Sequence, residues 1–302
     1  MIYTLTFNPA IDYVMRLPVL REGETNRAVS AEIHFGGKGI NVSRVLAALG
    51  ADSTALGFVA GFTGEALTAY LTDNGVRCDF ISLPEGTTRI NVKLKTPEGL
   101  QPETEINAAG PVIPEACLEA LMGKLDGLTE GDTLVLAGSV PSSLSRDVYR
   151  RIMERLDGKG IRFAVDAEGS LLTETLSYHP YLIKPNRAEL EDIAGRALTT
   201  DGDLVVAAAD LQKRGAMNIL VSLGGDGALL LDEHGKVHRT AALPIVPVNT
   251  VGAGDSAVAG FLVGAEKEYE YALKLSMACG AATAAREGLA EREAIERLME
   301  RV

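Results

Sequence analysis

Apolar runs that alternate with helix-forming stretches set the strongest limit on what this chain can fold into. TLVLAG at 133–138 is followed, after a Pro-Ser loop, by a helical stretch from about Ser145 to Leu156. IRFAVD at 161–166 precedes a helix beginning near Gly169, and YLIKPN at 181–186 leads into RAELEDIAG. MNILVSLGG at 217–225 follows the helical segment Asp203 to Lys213. A strand without polar alternation is covered on both faces, and strands separated by helices run parallel. The expectation is an α/β fold, a doubly wound and mostly parallel sheet flanked by helices. Ligands in such sheets bind beyond the carboxyl ends of the strands. Those ends carry Gly138-Ser139, Asp166, Lys184-Pro185-Asn186 and Gly224-Gly225. No repeat, low-complexity tract or linker interrupts the pattern, so the 302 residues read as a single domain, 1–302.

Two stretches break the pattern. TTRINVKLKT at 87–96 alternates, with Ile90, Val92 and Leu94 on one side and Arg89, Asn91, Lys93 and Lys95 on the other. Period-2 alternation predicts a sheet with one dry and one wet face. Its expected hairpin partner is Glu103 to Asn107, after a turn containing Pro97, Gly99 and Pro102. With segments near Asp12–Arg16 and Arg27–Phe35 it predicts a small sheet projecting from the body. Its apolar face must be covered by the core or by the same element of a second subunit. An extra antiparallel edge on the main sheet is the alternative.

Charge narrows the partners. The chain carries 29 Lys and Arg against 41 Asp and Glu, a net charge of −12. Long-range repulsion argues against nucleic acid or an anionic membrane. An anionic substrate would need local cationic clusters. The longest uncharged run, Thr240 to Gly254, contains two prolines and is too short to span a bilayer. Cys78, Cys117 and Cys279 stand apart without a CxxC pair, and the first residues lack a signal-peptide pattern. Both features predict a soluble cytoplasmic protein. His234 and His238 flank an expected hairpin tip, with no further Cys or His nearby to complete a metal set.

FGGKGINVSRVLAALG at 35–50 runs from a Gly-Gly turn into a helix with Val42, Val45, Leu46 and Leu49 on one face. Glycines and a lysine at a helix start let amides and an ammonium meet an anion; equally, they suit a tight turn with a surface lysine. NTVGAGDSAVAGF at 249–261 puts Gly252, Ala253 and Gly254 before Asp255 and a helical run. Open amides there could hold a negatively charged transition state, and the carboxylate could take a proton from a hydroxyl. A plain helix cap at Asp255 is the alternative. A dinucleotide fingerprint over 252–257 lacks its context, because Pro244 and Pro247 interrupt the preceding strand. A serine nucleophile at Ser256 has no GxSxG. Lys184, Asn186 and Glu189 share a strand-to-helix junction where a lysine could meet phosphate and the Asn/Glu pair a hydrated Mg²⁺; an exposed first helical turn would look the same. Gly224, Gly225 and Gly227 allow close backbone approach or a plain turn.

Taken together and in this order, GGKGINVSRVLAALG, KPNRAEL, SLGGDGALL and NTVGAGDSAVAGF resemble the PfkB (ribokinase-like) family of sugar kinases along essentially the whole chain. TFNPAIDY, TRINVKLKT, TEIN and AGSVPSSL are similar to its 1-phosphofructokinase branch. The resemblance implies transfer of the ATP γ-phosphoryl group, with Mg²⁺ and a monovalent cation as an option, to the C6 hydroxyl of fructose 1-phosphate. Tagatose 6-phosphate and fructose 6-phosphate are the neighbouring substrates, and a catalytically inactive sugar-phosphate-binding regulator is the non-enzyme reading. It implies Asp255 as base, Gly252, Ala253 and Gly254 as anion hole, and Asp12, Gly37, Lys38 and Asn41 at the sugar. Arg89 and, more weakly, Arg27 would meet the sugar phosphate, and Asn107 and Ser139 would lie on loops facing the same cleft. Lys184, Asn186, Ser222, Gly224, Gly225 and Gly227 would hold nucleotide, with Asn186 and Glu189 on the metal through water. Segments near 12–35 and 87–108 become a lid that joins two subunits as a homodimer.

Overall fold

The computed structural model describes residues 1–97 and 100–302; Gly99 of the expected turn lies outside them. The chain opens with β1 (Ile2–Thr6), β2 (Ala10–Arg16), β3 (Ser30–Gly36) and β4 (Ser53–Val59). Short β5 (Arg77–Cys78) and β6 (Ile81–Ser82) follow, then β7 (Arg89–Lys95) and β8 (Thr104–Ile106). The second half contributes β9 (Thr133–Ala137), β10 (Arg162–Asp166), β11 (Leu182–Ile183) and β12 (Asn218–Ser222). A hairpin of β13 (Ala228–Leu231) and β14 (Val237–Thr240) completes it.

The main sheet runs β14-β13-β12-β11-β10-β9-β1-β4-β5, with β6 also on β4. From β12 to β5 the pairs are parallel, and β13 and β14 add an antiparallel edge. Successive residues of one strand serve opposite faces. Leu134 and Leu136 join Phe163, Val165, Ile183 and Val221 in one core, while Val135, Ala137, Ala164 and Leu220 belong to the other. Covering on both faces is why these strands read as unbroken apolar runs. Because the chain lays β4 on one side of β1 and β9 on the other, the strand order reverses beside β1, where such sheets open a crevice.

On the alanine-rich face, helices Ala253–Gly264 and Tyr269–Ala284 touch backbone to backbone. A Cβ added at Gly260 would stand 2.7 Å from the Leu275 carbonyl oxygen, and one at Gly264 2.5 Å from the Ala272 Cα. Two local expectations are corrected. The helix near Gly169 is a single turn, Ser170–Thr173, followed by a 3₁₀ turn. The stretch before Leu156 becomes helical only from Val148, since Ser145 to Asp147 form a turn.

A second sheet, β3-β2-β7-β8, stands apart from the first, so an extra edge on the main sheet is excluded. Within the single chain the polar side of the lid is covered and its apolar side is open. Asn91 and Lys93 turn inward and are 6% and 8% exposed, whereas Ile90 is 42% exposed. The strand registers put Ile33 and Ile106, both exposed, on the same outward side. These polar residues find their partners within the lid itself, Asn91 on Asp12 of β2 and Lys93 on Asp12 and on Glu105 of β8.

Candidate active site

Between the lid and the carboxyl ends of β1, β9, β10, β11 and β12 lies a cleft of about 1290 Å³. It brings together Asp12, Gly37, Lys38, Asn41, Arg89, Ser139, Lys184, Asn186, Glu189, Ser222, Gly224, Gly225, Gly227, Gly252, Ala253, Gly254 and Asp255. Two expected site residues stay outside its lining. Arg27 lies on the exposed connection between β2 and β3, and the amide of Asn107 turns to Glu105 just after β8.

Helix Lys38–Leu49 begins hard against the end of β1. A Cβ at Gly39 would come within 2.8 Å of the Leu5 carbonyl oxygen, and the Ile40 amide donates to Thr6 Oγ1. One turn in, Asn41 donates from Nδ2 to Asp255 Oδ2 at 2.8 Å. That contact separates the two readings of Asp255. Its carboxylate serves no amide of its own helix; the residue before the helix is Gly252, at φ 83°, with no side-chain cap. The Ala253 and Ser256 amides bond to Thr250 and Gly252; among the described residues nothing accepts from those of Gly254 and Asp255. Two donors are thus left beside a buried carboxyl group at the positive end of a helix dipole.

Asp255 is buried, and loss of hydration pushes its pKa up to about 6. The charge of Asp166 adds to the rise, and Asn41, Lys38 and Lys184 oppose it. Asp166, at the end of β10, was not expected as a site residue. Its Oδ1 lies 3.3 Å from Lys184 Nζ and 3.6 Å from Lys38 Nζ, and its buried Oδ2 has no partner among the described residues. Burial alone would lower the Lys38 pKa, but Asp166, Asp255, Glu189 and Glu168 outweigh it and raise it. Lys184 also borders the glycine turn: a Cβ at Gly254 would sit 3.1 Å from its Nζ. The floor therefore alternates cations and carboxylates at close range, and an arriving polyanion finds two ammonium groups beside open amides.

The lid supplies the opposite wall. Asp12 accepts from Asn91 Nδ2 at 2.8 Å and faces Lys93 Nζ at 3.9 Å. Lys93 also pairs with Glu105, and Lys95 with Glu103. Burial lowers the Arg89 pKa, against the pull of Asp12, and its Nε is buried without a partner among the described residues. Asn91, Lys93 and Lys95 line the cleft and were missed as site residues, although their alternation with Ile90, Val92 and Leu94 was the available signal.

At the far end, Asn186 and Glu189 form a reciprocal capping box on helix Arg187–Ala194. Glu189 Oε2 accepts from the Asn186 amide at 2.8 Å, leaving Oε1 for other use. Gly227 needs its backbone freedom: φ is 94°, and a Cβ would fall on the Thr240 carbonyl. The histidines go elsewhere. His238 pairs with Asp232 at 2.8 Å, and His234 stacks edge-on against Tyr269. Among the described residues no helix is long and apolar enough to cross a membrane.

A profile described as pfkB family carbohydrate kinase matches residues 5–295. The 1-phosphofructokinase of Bacillus subtilis is 41% identical over 100% of this chain and 98% of its own. The D-tagatose-1-phosphate kinase of Bacillus licheniformis is 36% identical, covering 96% and 95%. The crystal structure of phosphofructokinase-2 from Escherichia coli in complex with substrates and products superposes with a TM-score of 0.93 at 28% identity, covering 99% of this chain and 98% of that one.

Proposed function

The chain belongs to the pfkB family of carbohydrate kinases, and on that premise we propose that it phosphorylates fructose 1-phosphate at the C6 hydroxyl, giving fructose 1,6-bisphosphate and ADP. The observation that carries the reading is Asp255, a buried carboxyl with a pKa of about 6 beside two open helix amides. At neutral pH it is ionised yet poorly hydrated, the condition that suits a general base.

Asp255 takes the proton from O6 as that oxygen attacks the γ-phosphorus, and the bond to the β-phosphate oxygen breaks to release ADP. Phosphoryl transfer calls for alignment and charge neutralisation rather than covalent catalysis. The Gly254 and Asp255 amides and the Lys184 ammonium meet the charge on the transferred group. Asn41 keeps the carboxylate turned toward the sugar, and Asp166 holds both lysines. Asp12, Gly37 and Lys38 take the sugar, while Ser139 and Arg89, whose Nε has no partner among the described residues, take its phosphate. Ser222, Gly224, Gly225 and Gly227 cradle the nucleotide.

The donor set also fits a hydrated Mg²⁺: Glu189 keeps one carboxylate oxygen free, and the orphaned Asp166 Oδ2 is the kind of group a cation's hydration shell satisfies. When bound, Mg²⁺ neutralises charge on the phosphates. On the outside of the lid, Ile33, Ile90 and Ile106 support a homodimer in which the partner's lid covers this apolar face.

The test is ADP release with MgATP against fructose 1-phosphate, tagatose 1-phosphate, tagatose 6-phosphate and fructose 6-phosphate, compared as kcat/KM. A clear preference for fructose 1-phosphate is expected. A preference for either 6-phosphate would reverse the sugar and present C1 to Asp255. ATP binding without turnover on any of them would favour the inactive regulator.

A further inference from the structure

Resting on the kinase reading, one contact joins the two walls of the cleft at its rim. Arg16, the last residue of β2 in the lid, reaches Glu287 on the body, Nη2 to Oε1 at 2.6 Å across 271 positions of sequence. Its Nε also faces Glu32 on the neighbouring lid strand at 3.6 Å. Arg16 would therefore keep a partner on its own sheet without Glu287, and the body contact is an addition to the lid, not a requirement for its folding.

The loop around Glu287 leads directly to the anion hole. Gly288 and Leu289 line the cleft, and a Cβ on Gly252 would stand only 2.6 Å from Leu289 Cδ2. The next amide, of Ala290, donates to Thr283 Oγ1 at 3.0 Å. Thr283 Oγ1 is 2.7 Å from Ser256 Oγ, which donates to the Gly252 carbonyl at 2.8 Å. One short loop thus touches the Gly252 turn from two sides and holds the lid through Glu287.

We propose that Glu287 is a positioning residue for phosphoryl transfer: by gripping Arg16 it latches the lid to the loop that backs the Gly252 turn, so that lid closure and anion-hole alignment occur together. The same contact shuts the rim against water while the γ-phosphoryl group is in transit, since the competing acceptor in an open cleft is a water molecule. The two side chains are 39% and 36% exposed, so the latch is weak enough to open at every turnover.

The test is a double-mutant cycle of Arg16→Gln, Glu287→Gln and the pair, on the full chain with MgATP and fructose 1-phosphate. Glu287→Gln should lower kcat/KM for the sugar about two- to fivefold, the range open to a half-exposed ion pair. It should leave the KM for ATP and the melting temperature unchanged and raise the share of ADP released without sugar phosphorylation. Arg16→Gln should do the same, and the double variant should be no worse than either single one. Additive losses, or a Glu287→Gln enzyme identical to wild type, would overturn the latch. Wild-type turnover, measured alongside, keeps the readings apart: an active wild type with an unaltered variant overturns the latch alone, and an inactive wild type overturns the kinase reading with it.

Discussion

The floor of the cleft and its lid both turn charged side chains toward the same space, by opposite means. On the floor, Asp255, Asp166 and Lys184 are buried, the first on a helix packed backbone to backbone against the next and the other two at strand ends of the main sheet, so their charges act through little water. In the lid, Lys93 and Asn91 are equally buried, but on a four-stranded sheet whose other side is exposed isoleucine. A rigid floor suits groups that must meet a transition state, and a thin sheet suits groups that must admit and then hold a substrate. The floor should therefore govern kcat, and the lid KM.

Asp255→Asn is the severest test of that division. It should keep the fold and lower kcat by about 10²- to 10⁴-fold, the share usual for a general base. Retention of normal turnover by the folded variant would remove the floor from the chemistry. Next in size, Arg89→Ala should raise the KM for sugar phosphate about 10- to 100-fold with kcat nearly intact, as expected for a charge-assisted phosphate contact. A fall in kcat alone would mean that the lid does the floor's work.

Titration sharpens the contrast. With the Asp255 pKa at about 6, kcat/KM should decline below that pH. The same shift predicts a stability gain. A carboxyl whose folded pKa is raised is at no disadvantage below its unfolded value of 3.8 and destabilises the fold as pH climbs through about 6. Asp255→Asn should thus be more stable than wild type at pH 7.5, by on the order of 1–3 kcal/mol, and equal to it near pH 4. Calorimetry at the two pH values reads this directly; an unchanged difference would show that the carboxyl is not desolvated. Smallest in its effect on one active site, Ile90→Lys should release a monomer in sedimentation while leaving the floor residues in place. If the variant sediments as wild type does, the outer face of the lid is not the subunit contact.

The floor was readable only from its motifs taken together and in order, because a glycine turn opening a helix beside Lys38 or Asp255 equally suits an ordinary turn or cap. The lid strands were readable too, since period-2 alternation survives any environment. Which face of the lid is dry was not readable. Alternation separates two kinds of residue without saying which kind faces the cleft, and Asn91 and Lys93 are satisfied there by Asp12 and Glu105 on neighbouring strands of the same sheet. Asp166 was noted only as a strand end. Its place beside Lys38 and Lys184 depends on a helix start and two strand ends coming together, which no local pattern encodes. Arg27 and Asn107 went the other way: the resemblance set them at the sugar side, but the connection after β2 and the end of β8 leave them outside the lining of the cleft.

The hydrogen bond between Asn41 and Asp255 joins residues 214 positions apart. At roughly 5–20 residues per second, a ribosome needs about 10 to 40 s to travel that interval. Throughout it the emerging polypeptide already carries Asn41 but not the carboxyl group that Asn41 will hold. The two halves of the cleft floor can therefore be fastened together only near the end of synthesis.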